Sequence, residues 1–354
     1  MLDGFDPDLS LWVALGVGVV AAAFLITARL HYLSMPKLTA ASDPDTPPAD
    51  CMVIIPARDE AATIGDAVRS FPHDTVIVVD DGSVDGTAEI ARKAGAGVLK
   101  APEVPRGAMG KAGACAMGAR ALTSKWILFA DADTRVAPRF LDTAVAWAEA
   151  DGLAFASVHL KPAGDSWGAR MVLPLAVALY FCGIRPRSNA QGVFNGQCVL
   201  VRRDAYEFVG GHSAVLTSRV EDVKLAALAQ RHRLKVATAR APALGLVQFR
   251  ELWSTVERSG ARFMMLNPWI GLVTLLAALS LALWLPVLAW LWSDDQRIVA
   301  AVFAILPVAL LWPWYKNWRA IAAPLAIYFL LPMIANGFLA ALTGRHVEWK
   351  GRTI

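Results

Sequence analysis

Asp131-Ala132-Asp133 sets two carboxylates side by side just past an apolar run, Trp126–Ala130 (WILFA). Hard oxygen ligands in that position suit Mg²⁺ or Mn²⁺ bridging to a diphosphate. An aspartate pair capping the next helix has the same appearance. Asp80-Asp81-Gly82-Ser83, followed by Asp85-Gly86-Thr87, closes a second apolar run. Its carboxylates could accept hydrogen bonds from a nucleobase and a ribose, or serve ordinary turn chemistry. A third run ends in Pro56-Ala57-Arg58-Asp59-Glu60. Gly110-Lys111, ahead of a small-residue helix over Ala112–Ala121, could bring a cation and helix N-terminal amides to a phosphate, although the spacing is not that of a P-loop. Further on, Glu221-Asp222 opens a helix after Gly210-Gly211-His212. A carboxylate there could act as a general base or could complement the helix dipole, and His212 by itself reads as a structural donor.

These clusters need elements to hold them. Cys51–Pro56, Thr75–Val79 and Trp126–Ala130 are short, continuously apolar runs. They alternate with helical patterns over Glu60–Arg69, Thr87–Ala94 and Pro138–Ala150, and a further helix is expected over Val223–Gln230. Unbroken apolar strands separated by helices predict a parallel sheet covered on both faces. Ligands bind such sheets beyond the C-terminal strand ends, where all three acidic clusters fall. So many carboxylates on one edge repel unless cations compensate, and a divalent metal with an anionic ligand would do so. Pro56, Arg58, Glu60, Asp80, Asp81, Lys111, Asp131 and Asp133 are the candidate residues at this edge, with Gly211, His212, Glu221 and Trp253 as further candidates.

Composition places this domain on a membrane. Of 354 residues 56% are hydrophobic and 18% charged, against ~45–50% and ~25% in average soluble domains. The excess lies in four uncharged stretches, Ser10–Ala28, Pro268–Trp292, Ile298–Tyr315 and Ala320–Thr343, each near the ~17–25 residues a span needs. About 235 residues between Arg29 and Phe263 remain for one large domain. A soluble enzyme, a disulfide scaffold and a disordered chain are excluded. Cys51, Cys115, Cys182 and Cys198 have no metal-ligand spacing and read as free thiols in a reducing compartment. The net charge of +4 is too small and too dispersed for a nucleic-acid binder, and no obligate protein partner is inferable.

Asp3, Asp6 and Asp8 precede the first stretch, while Arg29, His31 and Lys37 follow it. The expectation is a retained anchor with its N-terminus outside and the domain cytoplasmic, in a multi-pass protein of the inner (plasma) membrane. The basic tail with Arg345, Lys350 and Arg352 conflicts with three further full spans. Ile298–Tyr315, short and carrying Pro307 and Pro313, is the segment suspected of being re-entrant or interfacial. The expected divisions are an anchor over 1–37, a Pro/Asp-rich linker over 38–50, the domain over 51–263, a membrane block over 264–343 and a basic tail over 344–354. Met171–Ile184 is apolar but too short and Pro-broken to span, and reads as core or as a membrane-surface segment.

The order of the clusters, more than any one of them, carries a resemblance. IPARDE, DDGSVDGT, GKAGA, DAD, Gly-Gly-His and then Glu-Asp on a helix resemble the family 2 glycosyltransferases over about Met52 to Gln230. The resemblance implies an α/β GT-A fold (Rossmann-like, mainly parallel sheet) and inverting transfer from a nucleotide-diphosphate sugar, most simply a UDP-sugar. It also implies that Pro56, Arg58, Glu60, Asp80, Asp81, Lys111 and Asp131 bind the donor, with Asp80 and Asp81 holding base and ribose. By the same resemblance Asp131 and Asp133 form the metal/diphosphate motif, Asp222 is the catalytic base, and Gly211, His212, Glu221 and Trp253 lie on the acceptor side. The membrane layout looks like that of glycosyltransferases of hopanoid and carotenoid glycolipids, with the ceramide glucosyltransferases similar. The QxxRW motif of processive synthases is missing, the nearest segment being Gln248-Phe249-Arg250-Glu251-Leu252-Trp253. The expectation is a membrane-bound hexosyltransferase adding a single sugar to a lipid hydroxyl. The rivals are a polyprenyl-phosphate sugar synthase and a catalytically silent nucleotide-sugar-binding scaffold.

Overall fold

The computed structural model describes residues 7–39, 49–101, 108–184, 194–218, 220–249, 256, 268–343, 348–349 and 352–353. The chain divides into a unit built on a sheet and a unit of apolar helices.

In the sheet unit, β1 (Cys51–Ala57), β2 (Val76–Asp80), β3 (Gly97–Lys100) and β4 (Trp126–Ala130) run parallel in the spatial order β3-β2-β1-β4. Every residue of β4 is buried, as an unbroken apolar run covered on both faces requires. Beyond β4 come β8 (Cys198–Arg202), β6 (Phe155–His159) and β9 (Val236–Arg240), while β5 (Thr134–Val136), β10 (Gly245–Phe249) and β7 (Lys161–Gly164) form a separate small sheet. In the larger sheet the strands expected to be parallel are parallel, and β8 alone among the described strands is reversed, running antiparallel to both β4 and β6. The sheet is mixed, mainly parallel with one reversed strand.

Helices α2 (Ile64–Ser70), α3 (Thr87–Lys93), α4 (Gly110–Arg120) and α5 (Phe140–Ala150) lie between the strands, and the short α7 (Arg203–Phe208) follows β8. The helix expected from Glu60 starts four residues later, because residues 60–63 form a turn closed by the Ile64 amide donating to the Glu60 carbonyl at 3.0 Å. Helix α4 packs very close to the sheet: a Cβ on Gly118 would meet Ile54 Cγ2 at 2.8 Å and Val79 Cγ2 at 3.1 Å. Its run of Gly and Ala is what permits that approach. Phe129, Phe155, Phe194 and Leu225 complete the core beneath it. Fully buried Trp126 keeps its indole N–H bonded to Glu149 at 3.2 Å. The Leu38 amide donates to the Arg240 carbonyl and the Arg240 amide to that of Pro36, both at 2.9 Å, so the segment entering this unit adds a short bridge to the β9 edge. All four cysteines are free and buried. Burial pushes the thiols of Cys51, Cys115 and Cys198 far above their ordinary pKa.

The helical unit contains α1 (Pro7–Ser34, most of it), α6 (Trp167–Cys182), α9 (Pro268–Ala282), α10 (Trp284–Ser293), α11 (Arg297–Tyr315) and α12 (Ala323–Thr343). Four helical stretches, Asp8–Ser34, Pro268–Ser293, Arg297–Tyr315 and Ala323–Ala340, are long and apolar enough to cross a membrane. Large apolar side chains such as Trp12, Leu15, Val19, Ile305 and Phe329 point outward from them. The suspected segment Ile298–Tyr315 forms one uninterrupted helix through both prolines. The stretch over Pro268–Trp292 instead breaks at Leu283, three residues before Pro286, whose missing amide removes the bond to the Ala282 carbonyl. The Tyr328 hydroxyl donates to that carbonyl at 2.5 Å and restores a partner. In α6, which carries Pro174 in its interior, the Met171 carbonyl accepts from the Tyr315 hydroxyl. Segment Met171–Ile184 thus belongs to the packing of the helical unit.

Candidate active site

The parallel register aligns Ala57 with Asp80 and Ile54 with Phe129. The turns after β1, β2 and β4 therefore open at one edge, and that edge carries the site.

The first two turns are stitched together. The Arg58 guanidinium donates to the Asp81 carbonyl at 3.0 Å, the Asp59 amide to Ser83 Oγ at 3.0 Å, and the Glu60 amide to Thr87 Oγ1 at 2.7 Å. Asp85 accepts from the Ala61 amide at 2.9 Å and from the Thr87 amide at 3.0 Å. Burial pushes its pKa up, but the Thr87 hydroxyl and these amide donors together outweigh it and hold the carboxyl below the usual carboxylate range. Asp85 thus knits the loop, while Asp80 and Asp81 are buried at the strand end. Pro56 lies in β1 opposite Val79, one residue before the turn.

The second group gathers on Lys111, at the first turn of α4. Its ammonium lies 2.6 Å from Asp131 Oδ1 and 3.7 Å from Glu221 Oε1. Burial pulls the Lys111 pKa down, yet the Asp131 and Glu221 carboxylates outweigh it and hold the group charged, well above its ordinary range. Asp133 has a buried Oδ1 with no hydrogen-bond partner. Burial, then the Asp131 and Glu60 carboxylates, push its pKa up to about 8, against the opposing pull of Lys111. Its backbone is fixed, since the Gln248 amide donates to the Asp133 carbonyl at 3.0 Å. An orphaned buried carboxylate oxygen beside a second carboxylate, short of positive charge, fits a hard divalent cation. Among the described residues no three His, Cys, Asp or Glu side chains form a complete cage. Asp131 and Asp133 would therefore hold such a cation together with oxygens of an anionic ligand.

Helix α8 (Glu221–Arg231) begins at the Glu-Asp pair, as expected within two residues. Asp222 is 4% exposed. Its Oδ2 accepts from the Gly196 amide at 2.5 Å and its Oδ1 from the Val223 amide at 2.8 Å. Gly211 has φ +52°, and a Cβ there would overlap the Tyr206 ring at 2.4 Å, so glycine is required. His212 is buried, with Nδ1 2.9 Å from the Tyr206 hydroxyl and its ring edge-on to Phe129. Burial, reinforced by Lys111 and opposed by Asp222, pushes its pKa down to about 3, so the imidazole is neutral. Trp253 lies outside the described residues.

Asn195-Gly196-Gln197 was not among the expected site residues. The Gln197 carbonyl accepts from the Asp131 amide at 3.1 Å and from Thr134 Oγ1 at 3.2 Å. Gly196 meanwhile faces both Lys111 and Asp222. An Asn-Gly pair before the apolar run Cys198–Val201 was the available signal.

Residues 52–210 match Glycosyl transferase family 2. A 4,4'-diaponeurosporenoate glycosyltransferase of Staphylococcus haemolyticus is 25% identical over 329 residues, 85% of this chain and 87% of its own. The protein of the same name from Staphylococcus aureus strain USA300 is 41% identical over 87 residues, 23% of each chain. Among solved structures, a mannosyltransferase of Pyrobaculum calidifontis in complex with GDP-mannose and Mn²⁺ is similar at 19% identity, covering 96% of this chain and 98% of its own with a TM-score of 0.53. That last likeness is one of fold, and the fold is GT-A. With the acidic clusters gathered on one sheet edge and the family's pattern running through them, residues 52–210 form a Glycosyl transferase family 2 domain, and the chain is a glycosyltransferase.

Proposed function

We propose that this chain moves one hexose from a nucleotide-diphosphate sugar to the hydroxyl of a lipid, inverting the anomeric centre. The observation that carries the reading is the union of the DxD and Glu-Asp motifs through Lys111, with Asp131 at 2.6 Å and Glu221 at 3.7 Å. A base next to a diphosphate site is what in-line displacement needs. Asp80 and Asp81 would receive the nucleoside, while Lys111 and Asp131 would lie along the diphosphate. Asp131 and Asp133 would hold Mg²⁺ or Mn²⁺, which when bound neutralises charge on the departing diphosphate. Asp222 takes the acceptor proton while the acceptor oxygen bonds to the anomeric carbon. The bond to the diphosphate oxygen breaks, and its electron pair leaves with the nucleotide.

The four apolar helices and the diaponeurosporenoate named for the relatives support a lipid-like acceptor at the inner membrane. The flanking charges support a cytoplasmic domain. The relatives' name also favours a second reading, because the ending "-oate" denotes a carboxylate. A carboxylate, like a polyprenyl phosphate, is already ionised and has no proton to give up.

The test uses the full chain in detergent with UDP- or GDP-hexose, Mn²⁺ and a lipid extract. The expected result is nucleotide-diphosphate release together with a lipid heavier by one hexose in mass spectrometry. Release without any glycosylated lipid would overturn the lipid acceptor. A product stable to mild alkali marks a glycosidic bond to a hydroxyl, and an alkali-labile one marks an ester. Binding of donor without release under every acceptor would favour a silent scaffold.

A further inference from the structure

We infer that the backbone amide of Gly196 is the positioning group for Asp222. The inference rests on the reading of Asp222 as the base. Oδ2 accepts from this amide at 2.5 Å and Oδ1 from the Val223 amide at 2.8 Å; the first is a charge-assisted contact with a backbone donor outside the helix that carries Asp222. The approach depends on glycine for a steric reason only. A Cβ at position 196 would lie 2.9 Å from Asp222 Oδ2, 3.4 Å from Asp222 Cβ and 3.3 Å from Lys111 Nζ. One partner must yield to any side chain placed there.

The loop is the partner that cannot yield. Ser157 Oγ donates to the Asn195 carbonyl at 3.1 Å and accepts from the Asn195 amide at 3.0 Å. Asn195 Nδ2 donates to Gln197 Oε1 at 2.8 Å. The Gln197 carbonyl is held by the Asp131 amide at 3.1 Å. Ser157 is itself fully buried in β6. The carboxylate, by contrast, ends a short side chain and gives by turning about its torsions, at the expense of the Val223 amide bond to Oδ1. Three residues therefore fix the distance between the metal/diphosphate motif on one side and the proton acceptor on the other. The span runs from the Asp131 amide through Gln197 and Gly196 to Asp222.

Gly196→Ala should fold normally and bind nucleotide diphosphate as wild type does. Its kcat should fall roughly tenfold to a hundredfold with little change in donor KM, since about 1 Å of misplacement can cost that much. The discriminating measurement is a cycle with Asp222→Asn. If Gly196 acts through Asp222, Gly196→Ala on the Asp222→Asn background should cost less than twofold further. A second full loss on that background would overturn the inference, as would unchanged kcat in Gly196→Ala when Asp222→Asn is inactive. Normal turnover in Asp222→Asn would overturn the base assignment first, and with it this inference. Should Gly196→Ala fail to fold, Ser157→Ala loosens the same loop without adding atoms. It should lower kcat severalfold at unchanged nucleotide affinity, and wild-type kcat there would count against the inference.

Discussion

A single ammonium, Lys111, lies between carboxylates of two sequence motifs ninety residues apart in the chain. Each carboxylate near it takes a different part because its surroundings differ. Asp133 is orphaned and raised, so Asp133→Asn should weaken metal-dependent nucleotide binding by tenfold or more, a neutral amide being a poorer ligand for a hard cation. Calorimetric titration of the nucleotide with and without Mn²⁺ checks this, and unchanged metal dependence would return the pair to capping. Asp222→Asn should keep nucleotide affinity and lower turnover about 10²–10⁴-fold on a hydroxyl acceptor. Near-normal turnover would instead mark an acceptor that is already ionised. His212 yields a pH prediction. Its native pKa of about 3 lies below the unfolded value of 6.5, so the unfolded chain binds the proton first and stability falls as pH drops from 6.5 toward 3. At pH 5 the loss from this residue is about 2 kcal/mol. His212→Gln, which can still bond Tyr206, should flatten that part of the detergent-phase stability curve relative to wild type.

At the scale of elements, the acidic turns after β1, β2 and β4 were legible because they follow parallel strands, and parallel strands present their C-terminal ends to one edge. The Asn195–Gln197 loop was not legible by that rule, since it precedes its strand. Reversing β8 pairs Cys198 with Ala130 and carries the start of one strand to the edge where its neighbours finish. Pairing direction is set by partners distant in sequence, and local apolar content is blind to it. The break at Leu283 was hidden for a similar reason: composition marks Pro268–Trp292 as apolar throughout, while Pro286 acts through backbone bonds. Helix α4 supplies a test at this scale. In an open helix Gly→Ala gains up to about 1 kcal/mol. At Gly118 the new methyl meets β1 and β2, so Gly118→Ala should destabilise by about 1–3 kcal/mol as an overpacked core does. A raised melting temperature would show that α4 can move off the sheet.

For the molecule as a whole, two kinds of surface follow from one chain. The helical unit turns large apolar side chains outward, which water tolerates poorly and lipid does not. Within it, polar backbone left free by proline is matched by tyrosine: Tyr328→Phe strips the partner from the Ala282 carbonyl and should cost about 0.6–1.7 kcal/mol, the range for interhelical bonds in membranes. Thermal unfolding in detergent would register it, and no change would mean water or lipid replaces the hydroxyl. The acidic start and the basic flank of α1 argue for a domain on the cytoplasmic side. Protease added to sealed right-side-out vesicles should then leave residues 51–249 uncut until detergent is added, and earlier cleavage would reverse the orientation.

The burial of every cysteine makes the folded chain chemically quiet toward thiol-directed probes, because the thiolate that reacts is both occluded and disfavoured. A membrane-impermeant maleimide should therefore leave the native protein untagged. A cysteine introduced at an exposed site, Val84 in the domain or Ile298 at the start of a helix, would be read against that silent background without first stripping the natural thiols. Pulsed labelling under rising denaturant would turn the same four residues into clocks for opening, with Cys51, Cys115 and Cys198 timing the sheet unit and Cys182 the helices.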